Sequence, residues 1–131
     1  MRLLVTGGRR FNDMHLMHWG FCEVATLFGP VTLVIHGDAT GADKMADALA
    51  AFKGIERLPF PAKWSEIHAP GARVRWSRTN GFYNAVAGIW RNQQMIDEGK
   101  PTYFLAMPGG TGTADMVARC KAAGLRGVEV A

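Results

Sequence analysis

Cysteine is nearly missing from this chain of 131 residues: Cys22 and Cys120 stand far apart, each within an apolar helical pattern. A small secreted domain held by disulfides carries more cysteines, in loops, so both are expected as reduced, packed thiols. Histidine is scarce too. His15, His18, His36 and His68 have no Cys or His partner at ligand spacing, so neither a zinc site nor any other metal or cofactor is expected. Long hydrophobic runs are absent. No window nears the roughly 18 apolar residues of a membrane span, and no membrane partner is expected. The chain enters "MRLLVTGG" directly, an apolar stretch too short for a secretory signal and without a cleavage pattern, so a cytoplasmic protein is expected. Acids are outnumbered by bases, 11 to 15, for a net charge of +4. That balance suits an anionic partner such as a nucleotide, sugar phosphate or nucleic acid, although proteins without such partners share it. Repeats, low-complexity tracts and linkers are lacking, and the length suits one domain over 1–131.

What is present is a recurring unit of short apolar strand, glycine turn and amphipathic helix. "RLLVT" (2–6) reads as a strand buried on both faces, and Asp13 caps a helix running to about Phe28 with Leu16, Met17, Phe21, Val24 and Leu27 or Phe28 at helical spacing. "VTLVIH" (31–36) is a β-branched second strand, followed by a helix to Lys53 with Ala46, Leu49, Ala50 and Phe52 available to pack. "IERLPF" (55–60) is a third strand, shortened by its prolines. Periodicity then fails from Ala62 to about Tyr83, which reads as an enlarged functional loop with one helical turn at most. A helix over about 84–98 follows, with Val86, Ile89, Trp90 and Met95 inward, then a strand at 102–107, a helix over about 113–123 and a strand at 127–130.

Strands alternating with helices, without tight hairpins, imply parallel pairing through right-handed crossovers. The predicted class is α/β: a Rossmann-like three-layer sandwich on a parallel five-stranded sheet of order 3-2-1-4-5, with its switch point between strands 1 and 4. Ligands of such sheets sit beyond the carboxyl ends of the strands at the switch point. Three glycine turns fall there: Gly7-Gly8, Gly37 to Gly41, and Gly109 to Gly112.

The last of these, "PGGTGT" (108–113), has the makings of a phosphate cradle. Gly109, Gly110 and Gly112 let backbone N–H groups approach a ligand, Thr111 and Thr113 add hydroxyls, and a helix amino end follows. It is neither a Walker motif nor the dinucleotide fingerprint. The plainer reading is a βα turn with Thr113 as N-cap. Asp115 is either a first-turn acid favouring the helix dipole or a carboxylate beside a bound sugar, stabilising positive charge as a glycosidic bond breaks. In "WRNQQM" (90–95), Arg91 can pair bidentately with phosphate, or else is a solvated helix charge with Asn92 and Gln93 as filler. Arg9 or Arg10 can reach an anion at the switch point. Asp38 and Asp43 suit ribose hydroxyls or a metal ion on one reading and turn chemistry or helix capping on the other; the functional reading is taken for Asp38 and capping for Asp43.

Four ordered motifs, "VTGGRRF", "VIHGDATGAD", "RNQQM" and "PGGTGTADM", resemble the YspA branch of the SLOG superfamily, which is YpsA-related and Rossmann-like. The resemblance covers nearly the whole chain except 65–83. The superfamily includes the Lonely Guy phosphoribohydrolases, which split a nucleoside monophosphate into base and ribose 5-phosphate, and the DNA-processing protein DprA. The Lonely Guy pattern is a helical arginine, a Pro-Gly-Gly-x-Gly-Thr turn and a glutamate two residues on. Arg91 matches the arginine, Pro108, Gly109, Gly110, Gly112 and Thr113 the turn, and Asp115 the glutamate, one methylene shorter. The similarity implies a nucleotide-type ligand, with Arg91 and Asp115 as catalytic residues if turnover occurs; from their own chemistry and position, Gly7, Gly8, Arg9, Gly37, Asp38 and Gly109 to Thr113 are the candidate binding residues.

Three functions stay open on the sequence: nucleotide N-glycosidase, non-catalytic sensor of a nucleotide-derived signal, and single-stranded nucleic-acid binder. The last rests on Lys63, Arg73, Arg75, Arg78 and Arg91 interleaved with Trp64, Trp76, Phe82 and Tyr83. A homodimer is compatible with the exposed aromatics of that segment.

Overall fold

The computed structural model describes residues 1–131. Its elements in chain order are β1 (Arg2–Thr6), α1 (Met14–Phe28), β2 (Leu33–His36), α2 (Ala42–Phe52), β3 (Glu56–Pro59), β4 (Val74–Ser77), β5 (Gly81–Asn84), α3 (Ala87–Asp97), β6 (Tyr103–Ala106), α4 (Thr111–Ala122) and β7 (Arg126–Glu129). Five of the strands form one sheet in the order β3-β2-β1-β6-β7, parallel throughout. This is the expected 3-2-1-4-5 order with a hairpin inserted before its fourth strand. The fold is a Rossmann-like α/β sandwich. No helix is long and apolar enough to cross a membrane.

Side-chain alternation along the strands sorts the core into two layers. Leu3, Val5, Val34, Leu105 and Met107 point to one face, where Met17, Phe21 and Val24 of α1 and Ala46, Leu49 and Ala50 of α2 cover them. Leu4, Ile35, Phe104 and Ala106 point to the other, against Met95 of α3 and Met116, Val117 and Cys120 of α4. The three central strands, β1, β2 and β6, are therefore apolar on both faces, which is why "RLLVT" and "YFLA" read as continuous apolar runs, whereas the edge strands β3 and β7 are largely exposed. Asp13 does cap α1, its carboxylate accepting from the Leu16 amide at 3.0 Å, and Gly29 closes the helix at φ 99°.

The segment after β3 departs from expectation. It holds an antiparallel hairpin, β4–β5, with Trp76 opposite Phe82 and Arg75 opposite Tyr83. Its turn is made by Arg78–Asn80 with Gly81 at φ 67°, and the Ser77 hydroxyl accepts from the Asn80 amide at 3.0 Å. The hairpin is tied to the body at its base: the Asn84 amide donates to the Trp64 carbonyl at 2.7 Å and the Ala85 amide to the Arg73 carbonyl at 2.8 Å. No buried face imposes an alternating pattern on these strands, since Val74, Trp76 and Phe82 are all exposed.

Two packing expectations and one helix boundary also change. Phe52, at the last position of α2, stands clear of the core at 89% exposure. In α3 the buried residues are Ala87, Asn92 and Met95, whereas Ile89 and Trp90 are exposed and Val86 is half-buried. The helix begins at Ala87 because β5 claims the chain up to Asn84.

Candidate functional site

The site is framed by backbone. β1 ends at Gly7, where a Cβ would lie 2.6 Å from the Cβ of Ala42 and 2.8 Å from that of Met107. Only glycine lets the start of α2 and the end of β6 close this tightly on β1. The next residue knits the turns together: the Gly8 amide donates to the Pro108 carbonyl at 2.9 Å, and its carbonyl accepts from the Ala42 amide at 3.1 Å. Gly41, at φ 78°, has the Gly8–Arg9 backbone directly against it. The three glycine turns thus meet at the carboxyl edge of the sheet, at the β1–β6 switch point.

Beyond this frame opens a cleft of about 500 Å³. One wall is the amino end of α4, which begins at Thr111 rather than Thr113; the N-cap is Gly110, which has no side chain to cap with. The expected cap at Thr113 is therefore corrected. The first-turn amides lack intrahelical partners and carry the positive end of the helix dipole. Cβ atoms at Gly110 and Gly112 would meet nothing within 4 Å, so these glycines leave space in the cleft. Gly109 differs. A Cβ there would strike the Thr113 side chain and come within 2.7 Å of the Gly8 amide nitrogen, so it belongs to the frame and not to the cleft wall.

Asp115 lies one turn into α4. Its Oδ2 accepts from Asn92 Nδ2 at 3.0 Å and from Arg119 Nε at 2.9 Å, while Arg119 also donates to Gln93 Oε1 at 2.8 Å. Burial pushes the Asp115 carboxyl up, but the hydrogen bonds from Arg119 and Asn92 and the Arg119 charge outweigh it, so it titrates below the ordinary carboxyl value. It is a fixed anion at neutral pH. Asn92, far from filler, is 5% exposed; its Nδ2 also donates to the Gly112 carbonyl at 3.3 Å, and its Oδ1 accepts from Arg91 Nε at 3.1 Å.

Arg91 lines the cleft but spends part of its guanidinium on backbone. It donates to the Gly37 carbonyl, and to the Phe60 carbonyl at 3.4 Å, lying across Gly37 where a Cβ would collide with it. Burial and the nearby Arg9 charge depress its pKa and Asp43 and Asp38 offset this; an arginine remains charged regardless. Gly37 and Asp38 stand outside the cleft wall. Asp38 (φ 57°) turns to Lys44, whose Nζ donates to its Oδ1 at 2.5 Å. Asp43 is not the helix cap; that position is Gly41. Instead its buried Oδ2 accepts from the Gly37 amide at 3.1 Å and the Ala39 amide at 3.3 Å, tying the turn, and burial lifts its pKa despite those bonds and the Arg91 charge. His36, fully buried, accepts from the Asp38 amide at Nδ1, which leaves Nε2–H to donate to Asp47 at 2.8 Å.

The structure therefore gathers Gly7, Gly8, Arg9, Arg91, Gly110, Thr111, Gly112, Thr113 and Asp115 around one cleft. It adds Thr6 to the wall, with Arg119 behind, and puts there three residues that the sequence assigned elsewhere: Asp43 to a helix cap, Trp64 to a nucleic-acid surface and Asn92 to filler. Gly88, Arg91, Asn92 and Met95 form an i, i+3, i+4, i+7 stripe, and all four line the cleft. The apolar residues 86, 89 and 90 drew the face assignment away from it. No three His, Cys, Asp or Glu side chains gather to hold a metal ion.

No curated protein gives a significant match to the chain. A family model, YAcAr, described as "YspA, cpYpsA-related SLOG family", matches residues 1–67, just over half of the chain. The matched part carries the first two glycine turns and Arg9; Arg91 and the 108–113 turn lie beyond it. On that match, the chain belongs to the YspA, cpYpsA-related SLOG family.

Proposed function

We propose that the protein binds a nucleotide or nucleotide-derived ligand in the switch-point cleft and hydrolyses its N-glycosidic bond. SLOG membership suggests a nucleotide-related ligand. The observation that carries the reading is the uncapped amino end of α4, opening on the cleft with an ionised carboxylate one turn further on. In this reading the Gly110–Thr113 amides and the threonine hydroxyls hold a phosphate, helped by the Arg9 and Arg91 charges. Asp115 has one oxygen held by Asn92 and Arg119, which orients the other toward the sugar. An anionic carboxylate there stabilises positive charge developing at C1′; it is not protonated at neutral pH and so is no general acid. The C1′–N bond breaks, the oxygen of water bonds to C1′, and the proton released ends on the departing base.

Incubation with a panel of purine and pyrimidine nucleoside monophosphates, read by chromatography, should release free base. Asp115→Asn should slow release about 100-fold or more while ribose 5-phosphate still binds. No base release from any nucleotide would refute hydrolysis.

A second reading, a sensor without turnover, draws on the same carboxylate. Aspartate places its oxygens about 1 Å further back than the glutamate of the Lonely Guy pattern, a displacement large enough to cost rate, and two donors already occupy Oδ2. A thermal shift with nucleotides and no product would support it. The absence of a shift with every nucleotide tested would refute both.

A further inference from the structure

A second cavity, of about 560 Å³, adjoins the cleft. Its walls are Arg9, Trp64, Ser65, Asn80, Phe82 and Tyr83, and two of these, Arg9 and Trp64, also line the cleft. The shared wall is itself a built feature. The Trp64 indole packs onto Gly88, 3.0 Å from where a Cβ would be, and the Arg9 guanidinium sits 5.3 Å from the Trp64 ring centre. Phe82 and Tyr83 come from β5 of the hairpin, and Asn80 from its turn. Three aromatic rings and a cation surround this space. No carboxylate lines it, and the stretch 67–96 contains no acid at all.

We infer that this compartment is a second base-binding subsite, so that the full ligand is a dinucleotide: one nucleotide in the cleft and a second base stacked among Trp64, Phe82 and Tyr83. The inference rests on the nucleotide-binding reading above. Each cavity alone is within the range of small-ligand sites, about 300–1,000 Å³, so a mononucleotide needs only the cleft and the second space serves a further group. Aromatic faces bind a flat heterocycle by stacking, and an arginine at the junction suits the phosphates that join two nucleosides. The hairpin is what supplies this subsite, which gives the enlarged segment a use. Without β5 the compartment would have lost two of its three rings.

The probe is diadenosine pyrophosphate, two adenosines joined 5′ to 5′ through two phosphates, compared with AMP, which is half of it. Isothermal titration of the intact protein should find the dinucleotide bound about ten- to hundredfold tighter, the gain expected from stacking one more base. Phe82→Ala, at a side chain that is 67% exposed and outside both core layers, should fold normally. It should erase most of that advantage while AMP affinity stays within about twofold, and Tyr83→Ala should act in the same direction. Equal affinity for AMP and the dinucleotide would overturn the inference and leave the nucleotide reading standing. So would an advantage that survives both variants. Failure of AMP and the dinucleotide alike to bind would overturn the two readings together.

Discussion

The contact between Asn92 and Asp115 yields the sharpest test of the site's electrostatics. Asn92→Asp keeps the side-chain shape but sets a second carboxylate 3.0 Å from Asp115 Oδ2. At an effective dielectric constant near 20, two such charges repel by about 5 kcal/mol. Protonating one of them at pH 7 instead costs about 4 kcal/mol from an ordinary carboxyl pKa, so the pair shares a proton and that smaller figure governs. Arg91 Nε, 3.1 Å from the Asn92 oxygen, offsets part of it. The variant should lose about 2–4 kcal/mol at pH 7, a loss typical of an unpaired charge in a partly buried network. The pH dependence separates charge from packing. The folded pair binds a proton that the unfolded chain releases, so the deficit grows as pH rises and shrinks to about 1 kcal/mol near pH 4.5. Urea denaturation of both proteins at the two pH values, with m unchanged, measures it. A deficit that does not change with pH would refute the charge argument, and no deficit at pH 7 would show that Asn92 does not face Asp115.

Other consequences follow from single positions. Gly7→Ala forces a Cβ against two backbone-fixed Cβ atoms and should destabilise by about 1–3 kcal/mol. Gly112→Ala meets open space inside α4 and should stabilise by about 0.5–1 kcal/mol; equal urea midpoints for the two variants would contradict the packing described. Asp43 holds a raised pKa in the fold, so it keeps a proton that the unfolded chain loses, and its own contribution to stability declines as pH rises from the unfolded value of 3.8 through the folded one. Asp43→Asn should remove that decline, and thermal melts whose pH profiles match wild type would refute it. Burial pushes the Cys120 thiol up to about 12, whereas Cys22 is exposed. A thiol reagent at pH 8 should label one cysteine in the native protein and two in denaturant; rapid labelling of both in the native state would show that Cys120 is not enclosed.

Much of the architecture was legible because it is written locally. A strand covered on both faces must be apolar at every position, and Asp13 or Gly29-Pro30 act on their own neighbours. The hairpin was not read because neither of its faces is buried, so no hydrophobic alternation marks it. Its one local mark, Asn80-Gly81 between "VRWS" and "FYN", is a hairpin turn signal that the surrounding arginines and tryptophans obscured. The α3 face was misassigned for a related reason. Asn92 is buried by its bonds to Asp115 and Gly112, not by apolarity, so a hydrophobic pattern passes over it.

By itself the sequence determined the strand order and the switch point, and hence that three glycine turns share one edge, because element type and crossover handedness follow from local pattern and chain chirality. Tertiary structure alone decided what each polar residue does there. Asp115, Asp43 and Asp38 are the same residue type, each within or shortly after a glycine turn. One is an ionised carboxylate clamped by Asn92 and Arg119, one a buried tie on the Gly37 turn, and one an exposed partner of Lys44. Burial, and for Asp115 the Asn92 donor brought in from α3, set those differences and come from residues distant in sequence, whereas Arg119, the Gly37 and Ala39 amides and Lys44 are donors from within six residues.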